Sequence, residues 1–447
     1  MTRIQDMTQG SPVRLLLFFS LPLMLGNVFQ QLYTVVDTAI VGKALGVDAL
    51  AALGATDWLT WMFIGMVQGL TQGFSIRMAR EFGAKQYEEL RRTVGNAVLL
   101  SALGALFFLG LAQLAARPLL LFLDTPADVL PLSLLYVRIF FAGIPILTAF
   151  NLLAAILRAL GDGRTPLYAM ALASLTNIGL DLLFVLVFHW GIAGAAIATL
   201  LAQLASCLFC LIQLGKIELL RLRREGFCLD ARRCGNLLLL GTPMSLQNAI
   251  IAVGGLIIQM VVNGYGVIFL AGFTASNKLF GVLEIAGLSF GYALVSFVGQ
   301  NLGARKLERI RKGVSQGFWL AVGTSLLIGA AMLVFGRFFI ACFLSGDPEQ
   351  IRQAGDVAYQ YLATMSIALP ALYILHAYRA SLQGLGDTVI PMLSGILELG
   401  LRTTLVFTLP RFFGETGIYL AEVSAWFGAA LMLGLSFFFR LRRLSKS

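Results

Sequence analysis

Apolar runs of about 20 residues recur along the chain from Leu15 to Phe439, and each is long enough to cross the hydrocarbon core of a bilayer as a helix. Nothing else in the sequence constrains the fold as strongly. Only 13% of the 447 residues are charged, against about 25% in an ordinary soluble domain. The mean hydropathy is +0.84. Together these values exclude a soluble enzyme, a coiled coil and a disordered chain. A backbone inside lipid must satisfy its own N–H and C=O groups, which leaves helices or a closed barrel. Barrel strands would alternate in polarity and span in about 10 residues. The runs here do neither, so the chain reads as an all-α integral membrane protein.

Twelve transmembrane helices are expected, at about 15–42, 50–79, 93–115, 131–156, 166–189 and 191–214 in the first half, and at about 236–262, 270–299, 314–336, 357–379, 391–412 and 416–439 in the second. The first apolar stretch lacks a small-residue cleavage site and runs past Val41, so it reads as a span and not as a secretory signal. The net charge of +10 suggests nucleic acid until its placement is considered. With the N-terminus inside, about 25 of the 33 basic residues fall at the inner ends and loops, among them Arg3, Arg221, Arg223, Arg224, Arg379 and Lys446. Lys43, Arg117, Arg337, Arg352 and Arg411 fall outside, and Arg138, Lys278 and Arg402 within spans. This asymmetry places both termini in the cytoplasm and the protein in the cell membrane, with the lipid bilayer and not nucleic acid as its surroundings.

The two halves repeat. Phe82-Gly-Ala-Lys follows the second span and Leu302-Gly-Ala-Arg follows the eighth, 220 residues later. Leu160-Gly-Asp162 with Pro166 matches Leu385-Gly-Asp387 with Pro391 at an offset of 225. Ser20-Leu-Pro22 and Gly241-Thr-Pro243 open the first and seventh spans at an offset of 221. Six spans per half give both halves the same orientation, a parallel repeat of the kind found in secondary transporters. The expected organisation is a six-helix lobe over 1–214, a cytoplasmic linker over 215–235 and a second six-helix lobe over 236–447.

No G-x-x-x-x-G-K-[ST] loop is present and no polar segment is long enough to bind a nucleotide, so an ion gradient is the simplest energy source. No ATPase subunit or organic cofactor is called for, and the chain is expected to act as a monomer. A catalytic constellation for an intramembrane enzyme is missing too: the sequence has two histidines and no HExxH. Its Cys207 and Cys210 lie within one apolar span and read as packing residues.

Ionisable groups within spans cost at least ~2.5–3.5 kcal/mol each on insertion scales, so each needs a reason. In the second half Glu398 and Arg402 stand four apart, suited to a local ion pair. Lys278 and Glu284 share another helix, Glu422 lies on the last, and His376 reads as a packing or loop residue near a helix end. The first half differs. Asp37 on span one and Asp181 on span five have no basic residue within a few helical positions, and Asn177 and Thr199 lie at similar depth. Two carboxylates, an amide oxygen and a hydroxyl are hard ligands suited to a cation. Two close carboxylates can equally share one proton. Asp181 and Asn177 can also simply bond neighbouring helices. Gly69 with Gly73 and Gly287 with Gly291 have the spacing of helix-packing pairs.

Over nearly its whole length the chain resembles the multidrug and toxic compound extrusion family of cation-coupled exporters. The resemblance rests on the duplicated six-span halves, the repeated Gly-Ala-[Lys/Arg] and Leu-Gly-Asp loops, and Leu21-Pro22 followed by Val35-Val36-Asp37-Thr38 and Val41-Gly42. The DinF-like branch of that family implies a first-lobe cation site at Asp37, Asn177, Asp181 and Thr199, which would hold the metal if the ion is Na⁺. It also implies supporting roles for Tyr33 and Asn151 and a bending point at Pro22. The NorM-like branch carries a glutamate on helix seven where this chain has Gln247 and Asn248. That leaves a second-lobe site without its usual carboxylate, with Glu284, Glu398 and Arg402 as the residues able to support substrate or coupling there. The expected function is export of small organic, cationic and amphipathic compounds in exchange for Na⁺ or H⁺. A flippase for lipids or lipid-linked oligosaccharides is the alternative on the same scaffold.

Overall fold

Every expected span is helical, and the helices run past the hydropathy boundaries because their polar ends continue the same hydrogen-bond ladder into the interface. The structure is a computed structural model that describes residues 4–123, 125–220, 229–341 and 348–444, with only the backbone described at Val47 and Val267. Arg3, Arg221, Arg223, Arg224 and Lys446 of the basic set, and much of the 215–235 linker, lie outside the described residues.

The helices are α1 (Pro12–Leu45), α2 (Val47–Gly83), α3 (Tyr87–Phe122), α4 (Leu130–Ala142), α5 (Ile144–Ala159), α6 (Arg164–Asp181) and α7 (Gly191–Gly215), followed by α8 (Ala231–Asn263), α9 (Val267–Gly303), α10 (Leu307–Ala341), α11 (Pro348–Gly384), α12 (Val389–Thr408), α13 (Pro410–Phe413) and α14 (Thr416–Leu444). Among the described residues, eleven helical stretches are long and apolar enough to cross a membrane, and α4 with α5, bent by 47°, make a twelfth. The expected fourth span is therefore broken. Pro145 supplies no N–H to the preceding turn, and Gly143 leaves the space into which Leu200 of α7 packs.

The expected fifth span changes its winding partway. Past Asp181 the chain continues as a π-helix over Leu182–Val187. Its ring packing explains the local geometry: Phe184 stacks on Trp190, with centroids 4.7 Å apart, at the turn into α7. Such π segments are uncommon and gather at functional positions.

Contacts divide the chain into two units. The first comprises Met1–Thr8, Leu21–Ala249 and Gly303–Arg305; the second comprises Gln9–Ser20, Ile250–Leu302 and Lys306–Ser447. In the first, Phe63 of α2 packs edge-on against Phe141 of α4, with centroids 4.9 Å apart. Gly69 and Gly73 of α2 lie directly on the α8 backbone at Met244 and Gly241, where a Cβ would collide. Asn248 donates to the Gly65 carbonyl at 2.7 Å, so the position that differs from the NorM-like pattern joins α8 to α2. In the second unit the core is aromatic. Trp426 stacks on Phe280 at 5.6 Å and Tyr361 meets Tyr419 at 5.2 Å.

The repeated loops have repeated geometry. Lys85 and Arg305 adopt φ of 58° and 57°, the left-handed conformation that ends a helix. Gly161 and Gly386 do the same at 82° and 84°. Asp162 N–H donates to the Leu157 carbonyl at 2.9 Å, and Asp387 N–H to that of Leu382 at 3.0 Å. Each aspartate then caps the helix that follows. Asp162 accepts from the Arg164 and Thr165 amides at 3.0 and 2.9 Å, and Asp387 from the Ile390 amide at 3.2 Å.

Candidate functional site: a buried carboxylate pair

Three helices of the first unit build the site, each contributing side chains one turn apart. Tyr33 and Asp37 come from α1, Asn177 and Asp181 from the last turn of α6, and Thr199 and Gln203 from α7. Spacing of four puts each pair on one face. The Asp162 cap starts α6, and small residues let it settle closely between its neighbours. Ser206 of α7 donates to the Ala169 carbonyl at 2.7 Å, Ser174 donates to that of Phe29 at 3.3 Å, and Gly26 of α1 lies against Met170.

Asp37 and Asp181 are buried, 8% and 0% exposed, and their carboxyl groups face each other closely enough to share a proton. The Asn177 amide lies beside Asp181. Its Nδ2 donates to Thr199 Oγ1 at 3.3 Å, and that hydroxyl donates to the Ala195 carbonyl at 3.1 Å. The Tyr33 hydroxyl lies against the Gln203 and Gln30 amides. What is missing is donors. Asp37 Oδ1, both Asp181 carboxyl oxygens, Asn177 Oδ1 and Gln203 Oε1 are buried acceptors without a hydrogen-bond partner in the protein. Buried carboxylates without donors are expensive.

The ligand chemistry is narrow. Among the described residues no group of three or more His, Cys, Asp or Glu side chains could hold a metal ion, so the site lacks the donor set of a zinc centre. Two carboxylates with an amide and a hydroxyl match a hard monovalent cation or a proton. A narrow cleft with room for about one water adjoins them, lined by Gln30, Tyr33, Phe150, Met170, Ala173 and Gln203. Gln203 escaped the sequence reading, although a polar residue one turn after Thr199 on the same face was a usable signal.

The structure brings Asp37, Asn177, Asp181, Thr199 and Tyr33 together. Asn151 is different: its amide donates to the Leu147 carbonyl of its own helix at 2.8 Å, while its neighbour Phe150 lines the cleft. Pro22 is half-buried in the continuous α1, about four turns before Asp37.

The second unit holds a separate charged cluster, which contains the expected Glu398–Arg402 pair and adds a closer partner to it. Glu398 pairs most closely with Arg379 of α11, a residue expected at the inner end of its span and buried there within the helix. Arg402, the expected partner, stands 3.9 Å from both Glu398 and Glu422, between two acids. Side-chain direction explains this: the facing helix offers Glu398 a shorter approach than its own next turn does. Tyr361 donates to Glu422 at 3.2 Å. His376 is not near a helix end but two turns inside α11, with Nε2 3.4 Å from Glu284. Lys278, in contrast, is exposed.

Comparison with known proteins agrees with this architecture. The MatE family model matches residues 22–183 and 243–408. The chain is 30% identical over 438 residues to the probable multidrug resistance protein YpnP of Bacillus subtilis, across 97% of this chain and 94% of that one. It is 28% identical over 373 residues to the FAD transporter of Shewanella oneidensis, across 80% and 78%. Among solved structures, an outward-facing multidrug resistance MATE family transporter of the MOP superfamily has the same fold, with a TM-score of 0.92 over 100% of both chains at 24% identity. The chain is a many-helix membrane protein that belongs to the MatE family, the multidrug and toxic compound extrusion transporters.

Proposed function

We propose that the protein is a secondary antiporter of the cell membrane, with both termini cytoplasmic, that exports small organic compounds in exchange for Na⁺ or H⁺. The coupling ion is a transported substrate, bound by Asp37 and Asp181 with Asn177 and Thr199. The observation that carries this reading is the set of buried acceptor oxygens around Asp181 that receive no donor from the protein. Two ionised carboxylates in a low-dielectric site repel strongly. A proton or Na⁺ between them removes the repulsion and favours close approach of α1 to α6 and α7. The organic compound need not touch the same atoms; it needs only a different affinity for the ion-bound and ion-free states.

The names of the relatives favour small-molecule export over lipid flipping. Cationic amphipathic compounds are the proposed substrates, and the proposal includes membership of the DinF-like branch, whose expected residues Asp37, Asn177, Asp181 and Thr199 lie together. Purified protein in liposomes, with an Na⁺ or an H⁺ gradient imposed separately, tests the proposal. Ethidium efflux driven by one gradient and silent without both is the expected result. FAD serves as a second substrate arm because one relative transports it. Transport that ignores both gradients overturns the coupling.

A further inference from the structure

A groove of about 480 Å³ runs along the second unit where α10 and α14 each pack on α11. One wall is the α10 face carrying Arg311, Phe318 and Trp319; the other is the α14 face carrying Phe438 and Arg442; the Tyr378 ring forms the floor. That ring touches both walls, 5.7 Å from Phe318 and 6.0 Å from Phe438 between centroids. Gly434 makes room for it, since even a Cβ there would stand 3.4 Å from the ring. Trp319 is 68% exposed and Phe438 54%, on helices that cross the membrane, so the groove opens to lipid and not into the bundle.

The groove is chemically two-ended. Arg311 stands in the first turns of α10 and Arg442 in the last turn of α14, so both guanidinium groups mark the same end. Arg311 has Glu308 at 3.2 Å, an exposed pair of the kind that contributes little. Aromatic rings fill the remaining length, with Trp319 where an interfacial anchor would sit. A guanidinium binds phosphate through paired N–H donors, and basic pockets between helices at a membrane surface select anionic headgroups.

We propose that this groove seats one anionic phospholipid, its phosphate on Arg311 and Arg442 and an acyl chain along Phe318, Tyr378 and Phe438. The leaflet is the one facing the basic ends of α10 and α14. Lipid binding is read without transport, so its failure and that of the antiport reading are separable.

Native mass spectrometry of the full-length protein, exchanged into mixtures of phosphatidylglycerol and phosphatidylcholine, provides the test. One tightly retained phosphatidylglycerol is expected. Arg311→Gln combined with Arg442→Gln should weaken its retention on the order of 30-fold while leaving phosphatidylcholine unchanged. Arg440→Gln with Arg443→Gln, outside the groove, should change it little. Unaltered gel filtration and melting establish that each variant is folded, and Arg311→Lys with Arg442→Lys should retain part of the preference. Equal retention of both lipids by the unsubstituted protein overturns the proposal, as does an equal loss in the outside pair. Displacement by inorganic phosphate alone also overturns it, because an anion site without the chain groove would then suffice.

Discussion

Asp181 of α6 sits with both carboxyl oxygens buried and without donors, facing the carboxyl of Asp37 on α1. The two acids come from separate helices, and among the described residues no arginine or lysine pairs with either. The second unit does the opposite. There Arg379 and Arg402 are interleaved with Glu398 and Glu422, and the cluster is close to neutral within itself.

Asp37→Asn or Asp181→Asn should therefore abolish gradient-driven efflux while insertion and yield stay at the level of the unsubstituted protein, since removing an intramembrane charge eases insertion. Vesicle transport and membrane yield are the measurements. Full coupled transport in both variants would remove the carboxylate pair from the mechanism.

Thr199→Ala should weaken Na⁺-driven efflux by several-fold and affect H⁺-driven efflux much less. A hydroxyl oxygen can ligate a metal ion but is dispensable to a carboxyl proton. Paired flux assays under each gradient distinguish the two, and equal losses would assign Thr199 to supporting Asn177 instead.

Glu398→Gln should lower the melting temperature in detergent sharply, because it strands Arg379 and leaves Arg402 with only Glu422. Breaking a buried pair costs about 3–5 kcal/mol, whereas replacing both members can be nearly neutral. Glu398→Gln with Arg379→Leu should thus be more stable than the single change. A harmless single change would show that Arg379 reaches another acceptor.

The two capping aspartates should differ. Asp162 accepts two backbone amides and the Thr165 hydroxyl, while Asp387 accepts one amide at 3.2 Å. Asp162→Ala should cost about 1–2 kcal/mol, at the upper end for a lost cap, and Asp387→Ala less. Thermal unfolding of both variants in one detergent makes the comparison. The opposite order would mean that these hydrogen bonds do not carry the energy.

Much was legible in the sequence alone, because it depends on local properties. Apolar runs must be satisfied as helices in lipid, so the spans followed from their length. The Leu-Gly-Asp loops showed in the sequence as a repeat, and the structure gave both copies the same left-handed glycine and capping carboxylate at Gly161-Asp162 and Gly386-Asp387. Spacing of four put Asn177 with Asp181 on one face. Tertiary structure decided the partners. Which acid Arg379 meets, why Arg402 hangs between Glu398 and Glu422, and that His376 reaches Glu284 all depend on the rotation of each helix against its neighbours. Hydropathy and local spacing carry no information about that rotation. The break at Gly143 is of the same kind, for Pro145 announces a weakness in the helix, but only the Leu200 side chain shows how the bend is filled. The groove beneath Phe318 and Phe438 exists because Tyr378 of a third helix closes its floor, a relationship between distant segments that no single span contains.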